Sequence, residues 1–340
     1  MTQSALADRL GRSRKTVNQI IKGKAPLTAE TALQLERVLG VPAAFWSNRE
    51  RYYREHLARL EEQARLQPHV AWGQEFPIRE MMRRGWIRQT GDKVEQLREL
   101  LNFFGVASPQ QWRDMWLGPH VAFRKSPAFQ ASPKAVAVWL RKGELDAQST
   151  QCASFDAQGF RDALSRVRAL TTHAPSDALR EAAQVCAQVG VAVVVLRELR
   201  RTRVWGATRW LSPQKALLQL SCRYKRDDHL WFSFFHEAAH ILKHARKQTF
   251  VEADEGMGTA TGRAAEEERQ ANSFAADLLI PPALYRDFVE GRSGYFSKQA
   301  IRAFAGRLGV APGVVVGRLQ HDRLIEHRHC NDLKRRVDLS

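Results

Sequence analysis

The sequence predicts a mainly α-helical chain with one small β-sheet, an α+β protein, and three observations predict it. Apolar residues recur at helical spacing along most of the 340 residues. Strand-like patterning is confined to a continuous apolar run at Val191–Leu196 and an alternating run at Lys215–Ser221. Ser, Thr, Asp and Gly stand where helix caps are needed, and Pro-containing breaks separate the periodic stretches. An apolar share of 44% suffices for a core in each of about two domains, the number this length favours.

In chain order, Gln3–Leu10 and Ser13–Ile21 read as two short helices joined by a tight turn at Gly11, with Ser13 as cap of the second. The second helix turns Val17, Ile20 and Ile21 inward and presents polar residues outward. Ser13, Arg14 and Thr16 are placed for phosphates, and Lys15, Asn18 and Gln19 for base edges, the distribution a major-groove helix needs. Thr28 caps a further helix over Ala29–Leu39, closed by Gly40 with Pro42 beyond. Arg51–Arg65 is a charged helix, and Pro68 marks a joint. Helices follow over Asp92–Phe104, Pro109–Leu117, Pro133–Leu145, Asp156–Leu170 and Ser176–Gln188, with Trp86, Trp112, Trp116 and Trp139 expected in buried packing. After the two strand-like runs, with Gly206 and Ser212-Pro213 read as turns between them, helical pattern returns at Asp228–His244, Ala264–Ile280, Ser297–Leu308 and Pro312–Gln320. The last pair is expected to pack on its neighbouring domain rather than read DNA.

Lys and Arg number 53 against 36 Asp and Glu, a net charge of +17 that favours a polyanionic partner such as DNA. No stretch reaches the roughly 18–20 apolar residues a membrane span needs, so no membrane partner is expected. The N-terminus lacks a signal-peptide pattern, and the four cysteines, Cys152, Cys186, Cys222 and Cys330, are scattered without pairing. A cytoplasmic location is the expectation.

The segment from Gln3 to Trp46, with LADRLGRSRKTV, NQIIKGKAPLT and VLGVPAAFW in order, resembles the helix-turn-helix of the HigA-type antitoxin branch of the repressor superfamily. The resemblance implies DNA as partner. Such domains begin with one more helix than is seen after Met1, so the expectation is either a start placed too late or a domain incomplete at its N-terminus. DNA readers of this type usually act as a homodimer.

The chemistry lies in His236-Glu237-Ala238-Ala239-His240, an HExxH pattern inside the helix Asp228–His244. Two imidazoles four residues apart share a helical face about 6 Å apart along the axis, within reach of one Zn2+. Glu237 is turned away from the ligand pair and can act as general base and acid on a water acidified by the ion, the arrangement of a metal-assisted hydrolase. The preceding Leu230 to Phe235 run makes this helix apolar, and a carboxylate buried there without a cation or hydrogen-bond partner is costly. That cost argues against two core histidines and an accidental acid.

The third ligand is expected on the next helix. At about 100° per residue, Ala271, Phe274, Ala275 and Leu278 define its inward face. Glu268 falls beside the small Ala271 and Ala275, while Glu266 points to solvent. Asn272, one turn on from Glu268, is placed to hydrogen-bond a ligand imidazole. His244 continues the histidine face but lies about 12 Å along the axis from His236, too far for the same ion on a straight helix, and is read as a residue that supports the ligands from behind. A donor for the oxyanion stays open among the zinc itself, Arg223, Tyr224 and His229.

The run from Gly206 to His244, followed by EEERQANSFAADLLIPP, resembles the ImmA/IrrE family of metallopeptidases over Ser176–Pro282. The resemblance implies a zincin-like fold, zinc held by His236, His240 and Glu268, Glu237 as catalytic acid/base, and cleavage of a partner protein, commonly a DNA-bound repressor. The expected organisation is a helix-turn-helix domain at 1–50, a linker helix at 51–75, a helical region without assigned role at 76–175, a metallopeptidase domain at 176–290 and a helical extension at 291–340. The leading expectation is a DNA-associated zinc metallopeptidase that cleaves a regulatory protein. The competing one is a transcriptional regulator or antitoxin whose zinc domain is a sensor or structural module without turnover.

Overall fold

The computed structural model describes residues 1–117, 132–200, 202, 204–221, 223, 226–244, 249–253, 263–292 and 294–338. They divide into two compact units, residues 1–71 with 92–98 and residues 72–91 with 99–340.

The first unit opens with α1 (Gln3–Leu10), α2 (Arg14–Ile21), α3 (Ala29–Leu39) and α4 (Ala43–Leu66). Three hydroxyl caps start the first three: the Thr2, Ser13 and Thr28 side chains accept from the backbone N–H groups of Ala5, Thr16 and Thr31. Gly11 and Gly40 end α1 and α3 in the left-handed region, where a Cβ would be strained. Proline precedes α4 and offers no side-chain acceptor, so the Glu36 carboxylate serves instead and accepts from the Ala43 N–H at 2.6 Å. Ala7, Leu10, Val17 and Leu35 form the core. Two expectations are corrected. The charged helix anticipated at Arg51–Arg65 is the outer part of the longer α4, carrying the ion pairs Arg54–Glu50 and Arg59–Glu55. Ile21, expected inward, is 54% exposed, because burial ends at Val17 and Ile20 as this two-turn helix gives way to the turn at Gly23.

Two helices, α5 (Val70–Gly73) and α7 (Lys93–Phe104), cross the division between units. The second unit contains α6 (Ile78–Arg83), α8 (Pro109–Leu117), α9 (Pro133–Ser149), α10 (Ala157–Leu170) and α11 (Pro175–Ala187). Trp112, Trp116 and Trp139 are buried as expected, whereas Trp86 is only half-buried, with the Arg84 guanidinium over its ring. The sheet comprises β1 (Val191–Val195), β2 (Val204–Ser212), β3 (Lys215–Leu220) and β4 (Phe250–Ala253) in the order β1-β3-β2-β4. β1 runs parallel to β3 and the other pairs are antiparallel. Strand alternation sorts two apolar layers. Val191, Ala216, Leu218 and Leu220 join the main core, while Ala192, Val194 and Leu217 meet Ala147 of α9. Cover on both faces explains why β1 reads as a continuous apolar run.

Gly206 corrects the sequence reading: it lies inside β2, opposite Leu220, and is no turn. Strands β2 and β4 carry no strand pattern that the sequence reading identifies. Helices α12 (Asp227–Lys243), α13 (Arg263–Leu279), α14 (Pro282–Glu290), α15 (Lys298–Leu308) and α16 (Pro312–His321) complete the unit. Trp231, Phe234 and Phe235 of α12 share one core with Ile301 and Phe304 of α15 and Val315 and Leu319 of α16. The expected packing of the last helical pair on its neighbouring domain is what the structure shows. Among the described residues no single helix is long and apolar enough to cross a membrane.

The segment after α16 straps the start of α12. Backbone groups pair Arg226 with Arg336, and the Asp227 N–H donates to the Arg335 carbonyl. The buried Asp227 carboxylate accepts from the Arg335 backbone N–H at 2.9 Å and from its guanidinium at 3.0 Å. Burial raises the Asp227 pKa, and the hydrogen bonds and charge of Arg335 oppose that rise.

Candidate functional site

The apolar sequence of α12 places it between the sheet and the C-terminal helices, which carries His236, Glu237 and His240 into the interior with 1%, 0% and 2% exposure. Their four-residue spacing puts the two imidazoles on one face, Nε2 to Nε2 at 3.0 Å. Glu268 arrives from α13, its carboxylate 3.2 Å from His236 Nε2 and 3.7 Å from His240 Nε2. The three ligand atoms lie within 4.8 Å of one another. The Glu268 side chain is 36% exposed, so the site reaches the surface on the α13 side. The neighbouring acids divide as their phases require: Glu266 is exposed and pairs with Arg269, and Glu267 is buried.

The outer ring nitrogens are both engaged. His236 Nδ1 lies 2.9 Å from Asn272 Oδ1, and His240 Nδ1 lies 2.8 Å from His244 Nδ1. Phe250 of β4 stacks on the His240 ring at 4.0 Å and 19°. Burial, followed by the neighbouring His236 and His244, holds the His240 pKa well below the ordinary histidine value, so this imidazole is neutral. Two imidazole nitrogens and a carboxylate converging on one point, with each Nδ1 already bonded, are the donor set of a divalent ion such as zinc.

Glu237 is turned from that point toward the sheet. Thr208 Oγ1 of β2 lies 2.6 Å from its Oε2 and 3.1 Å from its backbone carbonyl. Gly206, two residues earlier on the same face of β2, leaves the room: a Cβ there would stand 2.6 Å from Glu237 Oε1. Sequence reasoning missed Gly206, Thr208 and Phe250. The Gly-x-Thr alternation at 206–208 was the one local signal, and a turn reading of Gly206 hid it.

Of the residues considered for the oxyanion, His229 stacks on Trp205 at 5.3 Å and the Arg223 guanidinium lies over the same ring at 5.7 Å. Tyr224 lies outside the described residues, as does Cys222.

In the first unit, Arg14 and Lys15 project from the start of α2 and are exposed, and Asn18 and Gln19 are half-buried farther along. Ser13 and Thr16 bond each other through their hydroxyls at 2.9 Å, and Ser13 also caps the helix. Arg12 is held away from this surface by Glu30 and Gln34.

Residues 1–46 match the family model for the helix-turn-helix, and residues 206–320 match the model for the IrrE N-terminal-like domain, a peptidase family. The second match begins at Gly206 and runs through α15 and α16, so the C-terminal helical pair lies within the family's span. No curated protein matches the chain. The chain thus joins a segment similar to the helix-turn-helix family to a peptidase-like domain similar to the IrrE N-terminal-like family.

Proposed function

We propose that this protein is a zinc-dependent peptidase attached to a DNA reader, and that it cleaves a regulatory protein such as a repressor. The observation that carries the reading is the convergence of His236, His240 and Glu268 beside a separate, fully buried carboxylate, Glu237. His236, His240 and Glu268 would hold the ion, which supplies Lewis acidity toward a carbonyl and acidifies water. Glu237 takes a proton from the attacking water and returns it to the leaving amine. Thr208 and the space at Gly206 fix the direction of that carboxylate, and a shift of about 1 Å there costs on the order of 100-fold in rate. Asn272 orients the His236 imidazole. The buried face of α12 and the half-buried Phe250 wall one side of the site, where a lower local dielectric strengthens each charge interaction.

Elemental analysis of the untagged full chain tests the metal reading. About one zinc per chain is expected, as a three-ligand catalytic site holds one ion; less than half an equivalent counts against it.

DNA binding by α2 rests on Arg14 and Lys15 as exposed cations, with Asn18 and Gln19 toward base edges. Affinity for duplex DNA is expected to fall steeply with salt, and Arg14→Ala with Lys15→Ala to flatten that dependence by about one unit of slope per lost phosphate contact. Binding measured by fluorescence anisotropy that ignores both changes rejects this part.

A further inference from the structure

At the end of α12 the chain breaks the helical track that the sequence suggested. The helix stops at Lys243, and His244 adopts φ −110° and ψ 167°, an extended conformation. A straight helix would carry this imidazole a further turn away from His236. The extended residue instead brings its ring back against His240, centroids 4.9 Å apart, with Phe250 5.3 Å from the His244 ring.

Two imidazole nitrogens 2.8 Å apart make a hydrogen bond only if one carries the proton and the other a lone pair. His240 Nε2 faces His236 and Glu268, and a lone pair on that atom requires the ring proton on Nδ1. We propose that His244 is the positioning residue for His240: its Nδ1 accepts the His240 Nδ1 proton, which fixes the tautomer and ring plane that turn the Nε2 lone pair into the metal site. Asn272 Oδ1 does the same for His236. The two ligand imidazoles are therefore set by unlike acceptors, an amide from α13 and a third imidazole at the C-cap of α12. This inference rests on the metal reading above.

Zinc affinity of the metal-stripped full chain, measured by competition with a chelator, tests it. His244→Leu and His244→Ala are expected to weaken zinc binding about 10–100-fold, and Asn272→Leu to a similar degree. His244→Asn, whose Oδ1 falls near the place of the lost Nδ1, is expected to recover most of the affinity, which a purely space-filling role would not allow. Thermal unfolding without zinc checks that the variants are folded; should the Leu form fail, the Ala and Asn forms carry the comparison. Wild-type affinity in the Leu and Ala variants, or an Asn variant as weak as they are, overturns the inference and leaves the ligand set standing. A wild-type chain that binds no zinc, or binds it as well after His240→Ala, overturns the ligand set itself.

Discussion

Glu237→Gln is expected to leave zinc in place and to lower cleavage of the partner protein by about 10²–10⁴-fold, the contribution of a general acid/base. The substitution keeps size and an acceptor oxygen for Thr208, whose hydroxyl lies 2.6 Å from the carboxylate, so the local geometry has reason to survive. It removes only the group that accepts the proton. Because Glu237 is fully buried, neutralising it also lifts a desolvation cost, and the unfolding midpoint is expected to hold or rise. The measurement compares cleaved proteins in cells carrying the wild-type chain or the Glu237→Gln variant, with zinc content of both. A cleavage pattern unchanged by the substitution sinks the hydrolase reading in favour of a non-catalytic sensor. Loss of zinc would show that Glu237 is a ligand.

The second large effect is on stability. Lys334 and Asp228 form an ion pair at 2.5 Å with both side chains 5% exposed, and Lys334 Nζ also donates to Gln320 Oε1 at 2.6 Å. Asp228 sits in the first turn of α12, where the helix dipole favours an acid, but its Oδ1 is buried without a hydrogen bond. Lys334→Met would strand that carboxylate without its cation. Removing one member of a buried pair costs about 3–5 kcal/mol, and Asp228→Asn in the same chain should restore much of the loss. Urea unfolding of the single and double variants measures it. A cost under about 1 kcal/mol, typical of exposed pairs, would mean that this ion pair contributes little to holding α12.

The strap shows where sequence reasoning stopped. Lys334 and Arg335 lie in the stretch that the sequence reading placed only in a helical extension, and their buried acidic partners lie more than a hundred residues upstream. Their pairing depends on α16 packing against α12, and it shows in the small residues of α16: a Cβ at Gly313 would meet Asp227, and one at Gly317 would meet Asp228. Gly206 illustrates the same limit. A glycine next to other turn signals reads as a turn, and only the pairing of β2 with β3 reveals that it opens space for Glu237.

The sequence by itself determined what repeats locally. The four-residue spacing of His236 and His240 and the helical phase that separates Glu268 from Glu266 are properties of one helix at a time, as are the caps at Ser13 and Thr28. Periodicity encodes which face a residue occupies, and that was enough to bring three donors together on paper. The tertiary structure alone decided what lies across from those faces: Thr208 against Glu237, Phe250 against His240, and an early helix end that folds His244 back onto its neighbour. These contacts join segments distant in sequence or depend on where a helix stops, and neither is written in the spacing of residues, because each is settled by the packing of the whole core.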